Sequence, residues 1–267
     1  MRLTADTHVH WYPSYDPALF LEVASRHLAV LADATPGLRA LFLTERADCH
    51  QFRGLTDGTI PAPAGWSVEP LDEPVSCELR NPAHDPITLV SGRQVVAQEG
   101  VEVLCLGVLD APPDGTPARG VLQACREAGG FPVLPWSPGK WLGHRGRFIL
   151  DLVRDPSLNL GVGDPGHRPR GWPESAPVQL ARSLRRLVLA GTDPLPAPGE
   201  EYSVARYGIT LEAALDPRRP FASLLPRLLY GDTAVRMVGR RDSLPRFVRR
   251  QVALRMAKRA AKSAPEV

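Results

Sequence analysis

At 267 residues the chain has room for one sizeable α/β domain or two small ones, and it can bury a real core. A hydrophobic content of 43% and a charged content of 23% are those of a soluble globular protein and exclude a disordered body. The formal charge of +3 hides an asymmetry: Arg246, Arg249, Arg250, Arg255, Lys258, Arg259 and Lys262 form an acid-free basic run, and removing those seven charges leaves about −4 for the rest.

No apolar run approaches the roughly 20 residues that cross a bilayer, and the N-terminus lacks the basic-then-apolar pattern of a secretory leader. Cys49, Cys77, Cys105 and Cys125 are widely spaced with no C-x-x-C pair, which excludes a zinc knuckle and favours a reducing, cytoplasmic setting. Lysine occurs only at 140, 258 and 262, so arginine supplies nearly all positive charge in the body.

In chain order, β-rich apolar runs fall at residues 2–10, 38–45, 87–97, 101–109, 130–136, 158–164 and 186–193. Amphipathic segments with helical spacing lie between them at 16–33, 116–128, 140–154 and 174–185. Alternating strands and helices predict an α/β fold with a mostly parallel sheet, either doubly wound or a (β/α) barrel. No G-x-G-x-x-G opens a helix, which weighs against the nucleotide-binding doubly wound form. Residues 46–86 break the rhythm: rich in Pro, Gly and Asp and without a helical period, they read as an inserted loop or small antiparallel excursion. Residues 87–97 and 101–109 flank Gln98-Glu-Gly100 as a hairpin. Ser243 with Pro245 starts a basic C-terminal helix, in which Val248, Val252 and Met256 form an apolar stripe. The domain reading is therefore a barrel over residues 1–240, including the 46–86 insertion, and a basic helix and tail over 241–267.

The chemistry is written at the strand ends, where loops of a parallel barrel converge. The first run ends Asp6-Thr-His8-Val-His10, and residues i and i+2 of a strand project from one face, so two imidazoles can grip one cation. The second ends in Thr44-Glu45, a middle one in Trp136-Ser-Pro, the next in Asp164-Pro-Gly-His167, and the last in Gly191-Thr-Asp193-Pro. Asp before Pro or Gly is commonly a turn residue, which is the bland reading of Asp164. Arg46, Arg93, Lys140, Arg145, Arg168 and Arg206 lie in or near rim loops and suit a phosphate or carboxylate group. His50, His84, His144 and His167 occupy loops from which a rim site can be reached, with His50 or His167 the candidate auxiliary ligand, and His27 reads as structural.

These strand ends resemble the polymerase-and-histidinol-phosphatase (PHP) family of metal-dependent phosphoesterases over residues 3–208. That family carries His-x-His on its first strand, Thr-Asp/Glu-His on its second, a Gly-x-Glu strand before an Glu-Gly-x-His-x-Leu hairpin, and a closing Gly-Ser/Thr-Asp-x-His. His8, His10, Glu45 and Asp193 match. Arg46, Gln94, Glu102, Trp136 and Leu195 stand where the family has further ligands.

The resemblance implies a distorted TIM-like (β/α) barrel of about seven strands and a hydrolase of a phosphoester or related small anionic substrate. Its metal ligands are His8, His10, Asp193 and Glu45, with Asp193 and Glu45 also in the catalytic role, and Arg46, Arg93, Lys140 and Arg206 binding substrate. Two imidazoles and a carboxylate suffice for about one divalent zinc, manganese or iron ion with an open position. The alternative is a catalytically degenerate PHP-like binding or regulatory module. For the basic helix, contact with nucleic acid or an anionic membrane stands against packing on its own domain, and packing is favoured.

Overall fold

The computed structural model describes residues 1–137, 139–230 and 234–263, with the side chains of 253 and 255–263 excepted. The chain opens with β1 (Arg2–Val9), almost wholly buried, as a strand covered on both faces must be. Helix α1 (Pro17–Ala32) follows. It starts where Asp16 accepts hydrogen bonds from the Ala18 and Leu19 amides and Pro17 presets the first turn. Phe20, Leu21, Ala24, Leu28 and Leu31 bury its inner face.

β2 (Gly37–Leu43) then runs parallel to β1. The 46–86 stretch is ordered, with α2 (Gln51–Asp57) and the antiparallel pair β3 (Ser67–Pro70) and β4 (Ser76–Arg80). The pair is the expected antiparallel excursion, whereas α2 departs from the expectation because seven residues are too few to show a helical period.

The apolar run at 87–97 is two strands, β5 (Ile87–Val90) and β6 (Gly92–Val96), and they belong to different sheets. The chain divides at Gly92, where a Cβ would lie 2.5 Å from the Leu43 carbonyl and 2.7 Å from that of Cys105. Only glycine lets three backbones meet there. β6 and β7 (Glu102–Leu106) form the expected hairpin. Next come α3 (Ala118–Glu127), β8 (Phe131–Pro135), α4 (Gly143–Arg154), β9 (Gly161–Pro165), α5 (Ala176–Ser183) and β10 (Val188–Gly191). After a 3-10 turn at Glu200–Ser203 the chain adds β11 (Tyr207–Glu212), α6 (Pro220–Tyr230), β12 (Arg236–Gly239) and α7 (Leu244–Ser263).

The strands form one sheet in the order β12-β11-β1-β2-β5-β4-β3 and another in the order β10-β9-β8-β7-β6. The expected mostly parallel sheet is thus two mixed sheets, because β7, β4, β11 and β12 run antiparallel to their neighbours. Among the described residues no continuous ladder closes them into one ring, but they meet along two seams. At one, the Asp193 amide donates to the His8 carbonyl (2.8 Å) and the Thr7 hydroxyl to the Ala190 carbonyl (3.1 Å). At the other, the Glu45 amide donates to the Gly92 carbonyl (3.0 Å) and the Gln94 amide to the Glu45 carbonyl (2.8 Å).

Helix α7 is present as expected, but Val248 and Val252 face solvent, each 50% exposed. Phe247 and Arg250 turn inward instead. Met256 and the basic side chains from Arg255 onward lie outside the described residues. No helix among the described residues is long and apolar enough to cross a membrane.

Candidate metal centre

At the carboxyl end of β1, His8 and His10 point to one side, with their Nε2 atoms 3.2 Å apart. Asp193, just past β10, brings Oδ1 to 3.5 Å from His8 Nε2 and 3.4 Å from His10 Nε2. An ion with ligand bonds of about 2.1 Å in tetrahedral geometry sets its donors about 3.4 Å apart. The three atoms therefore have the spacing of ligands to one small divalent cation, and they are the donor cluster found among the described residues. His167, in the loop after β9, places Nδ1 3.2 Å from the other Asp193 oxygen, Oδ2. Its ring lies against Trp136, centroids 5.7 Å apart.

Two devices hold this geometry. Asp6, fully buried, accepts at Oδ1 from the His8 amide (3.2 Å) and the Thr192 amide (2.9 Å). Its Oδ2 accepts from the Ala205 amide (2.9 Å) and the Thr192 hydroxyl. Burial pushes the Asp6 carboxyl up to about 7 against those four bonds, and the carboxyl ties the end of β1 to the loop carrying Asp193. Gly191 is the second device: a Cβ there would lie 2.4 Å from the His8 amide nitrogen, so β10 can approach β1 only with glycine.

The protonation states suit metal binding. Burial pushes the His8 imidazole down to about 4, with His10 and His167 acting the same way and Asp193 opposing, so at neutral pH its ring is uncharged. Burial would raise the Asp193 carboxyl, yet the three imidazoles facing it hold it well below the usual carboxylate range. Neutral imidazoles and an ionised carboxylate are the forms that ligate.

Glu45 is buried, but its Oε1 caps α2 through the Phe52 amide (2.9 Å) and its Oε2 faces Arg93 Nη1 (3.2 Å). Arg93 also donates to the carbonyls of Cys49 and Arg46. Lys140 is paired with Glu102 at 2.6 Å, and Arg206 lies 3.8 Å from Asp242. Arg168 is locked in a bidentate pair with Asp164, leaving both as parts of the scaffold. Arg46 is half-exposed beside the Tyr12 hydroxyl, and Tyr12 in turn lies against His10. His50 sits exposed at the N-terminus of α2. The Gln94 side chain lies beside His8. Sequence reasoning missed Tyr12, Asp242 and Arg250. Nothing in the sequence separates Arg250 from the basic run around it.

Solved structures share this architecture. PsfC from Pseudomonas syringae PB-5123 is 16% identical with a TM-score of 0.57, over 96% of this chain and 98% of that one. The lesion-specific endonuclease PfuEndoQ from Pyrococcus furiosus is 10% identical with a TM-score of 0.55, over 89% of this chain and 58% of that one. An endonuclease Q complex with a 27-mer duplex carrying an abasic lesion is 10% identical with a TM-score of 0.52, covering 90% and 60% of the two chains. The fold is PHP-like. The chain spans nearly the whole of PsfC but under two thirds of either endonuclease chain. No protein-family model and no curated protein sequence matches it. At such low identity the likeness speaks for the PHP-like fold alone.

Proposed function

We propose that the chain is a metal-dependent hydrolase of a phosphoester or related small anionic substrate, working with about one divalent cation held by His8, His10 and Asp193. The observation that carries this is the set of three donor atoms separated by 3.2, 3.4 and 3.5 Å at one strand end. The reading takes β1, β2 and β6 to β10 as a distorted TIM-like barrel of seven strands. The hydrogen bonds at the Asp193/His8 and Glu45/Gly92 seams support it. The mixed nitrogen and oxygen donor set fits zinc, manganese or iron.

When bound, such a cation supplies Lewis acidity that activates water and offsets anionic charge. His8 and His10 would hold it through their Nε2 atoms. Asp193 turns Oδ1 to the ligand cluster and Oδ2 to His167 Nδ1, so the Asp193/His167 pair can hold the proton taken from attacking water. Arg46, open on the rim, takes an anionic oxygen of the substrate. Glu45, Arg93, Lys140 and Arg206 act less directly, because each has a buried or half-buried ionic partner, whereas the one beside Arg46, Asp48, is 71% exposed. Four buried, unpaired cysteines support a cytoplasmic home.

One observation favours the binding-module alternative: Glu45 is tied to Arg93 and Glu102 to Lys140, where the resembled family has further ligands. A panel of phosphomonoesters and phosphodiesters with added Mn2+ or Zn2+ separates the readings. Turnover abolished by chelator and by His10→Gln is expected of the hydrolase. Metal binding with no turnover on any ester leaves the module.

A further inference from the structure

We propose that Arg250, on the C-terminal helix, is a positioning residue for the metal ligands, so that the segment from Asp242 to Arg250 belongs to the site. The inference rests on the metal-centre reading above. Asp193 adopts φ 51°, in the left-handed region where a non-glycine residue is held only by its surroundings. Its amide is fixed by the His8 carbonyl. Its carbonyl is fixed from 57 residues away, by Arg250 Nη2 at 3.1 Å.

The same guanidinium reaches Glu200 Oε2 at 2.6 Å and Asp242 Oδ2 at 2.7 Å, with its side chain only 3% exposed. Glu200 lies farther along the loop that Asp193 begins, so one planar fork staples both parts of that loop. Asp242 reaches the other loop: its amide donates to the Gly166 carbonyl (2.7 Å) and its carbonyl accepts from the Arg170 amide (2.9 Å), on either side of His167. Arg246, at 3.1 Å from Asp242, and Arg206, at 3.8 Å, also face this cluster. Phe247 lies against Trp172, which meets Trp136 beside His167. The Asp193 and His167 loops are thus joined through the helix, and this linkage maintains their 3.2 Å contact.

Lysine keeps the charge but lacks the fork that serves three acceptors. The test titrates Co2+ into metal-free full-length wild type, Arg250→Lys and Arg250→Met, following the visible ligand-field bands, with circular dichroism and thermal melting as checks on folding. Partners outside the ligand set are worth about 10- to 100-fold in metal affinity. We expect a folded Arg250→Lys that binds Co2+ about tenfold or more weakly with altered band intensities, and a larger loss in Arg250→Met. Wild-type affinity and spectrum in a folded Arg250→Lys would overturn the inference while leaving the metal centre standing. A failure of Arg250→Lys to fold would also overturn it, making Arg250 a residue of the fold rather than of the site. Absence of Co2+ binding by the wild type would instead defeat the metal-centre reading.

Discussion

Arg168→Met removes one half of a buried ion pair that anchors the residue next to His167. Arg168 Nε and Nη2 donate to the two Asp164 oxygens at 2.6 and 2.8 Å, and the side chains are 4% and 1% exposed. Arg168 Nη1 also donates to the Trp172 carbonyl at 2.8 Å, and Asp164 accepts from the Tyr207 hydroxyl at 2.9 Å. Without the guanidinium, Asp164 keeps one neutral donor for a buried charge. Breaking a buried pair from one side costs about 3–5 kcal/mol, which for a chain of this size lowers Tm by roughly 6–20 °C. Adding Asp164→Asn removes the stranded charge but keeps an acceptor for Tyr207, so the double variant should be more stable than Arg168→Met alone by about 1–3 kcal/mol. Urea denaturation of the two single variants and the double closes the cycle. A cost below about 1 kcal/mol for Arg168→Met, or simple addition of the two substitutions, would show that Asp164 is not left as a stranded buried charge.

Gly191→Ala should destabilise the protein by about 1–3 kcal/mol and weaken metal binding, since the new Cβ meets the His8 amide nitrogen at 2.4 Å and His8 Cβ at 2.5 Å. Denaturation and metal titration of this variant check both effects, and wild-type values would show that the β1/β10 seam yields freely. In chelator-treated protein, His8 brings an acid-side loss of stability. Its imidazole, moved from 6.5 to about 4 by burial, takes a proton in the unfolded chain that the fold refuses. Stability should therefore fall as pH drops from about 6.5 towards 4, by up to roughly 3 kcal/mol, and His8→Gln should flatten that part of the wild-type profile. Parallel profiles for the two proteins would argue against a neutral, buried His8.

Much of the fold could be read from residues 1–193, because the long apolar periods there, the run at 87–97 excepted, correspond to single elements. β1 and α1 stand where the alternation and the Asp16-Pro17 cap put them, and the hairpin of β6 and β7 surrounds its turn. The break at Gly92 was hidden, since a continuous apolar run carries no mark of a change of sheet. β11, α6 and β12 were missed as well: their apolar residues pack on elements distant in sequence rather than announcing themselves locally. At the site, the His-x-His spacing exposed two donors. The tie that Asp6 makes to the Asp193 loop and the clamp of Arg250 are contacts across 186 and 57 residues, visible only after folding. Glu45 shows the converse limit, for its position at a strand end does not reveal that α2 and Arg93 occupy its oxygens.

Occupancy of the His8/His10/Asp193 cluster is tested by the divalent metal content of the protein purified without chelator and then dialysed against Zn2+ or Mn2+, measured by mass spectrometry. About one ion per chain is expected in the wild type and close to none in a folded His8→Gln/His10→Gln variant. A wild type that stays empty, or a double variant that loads as well as the wild type, would contradict that occupancy.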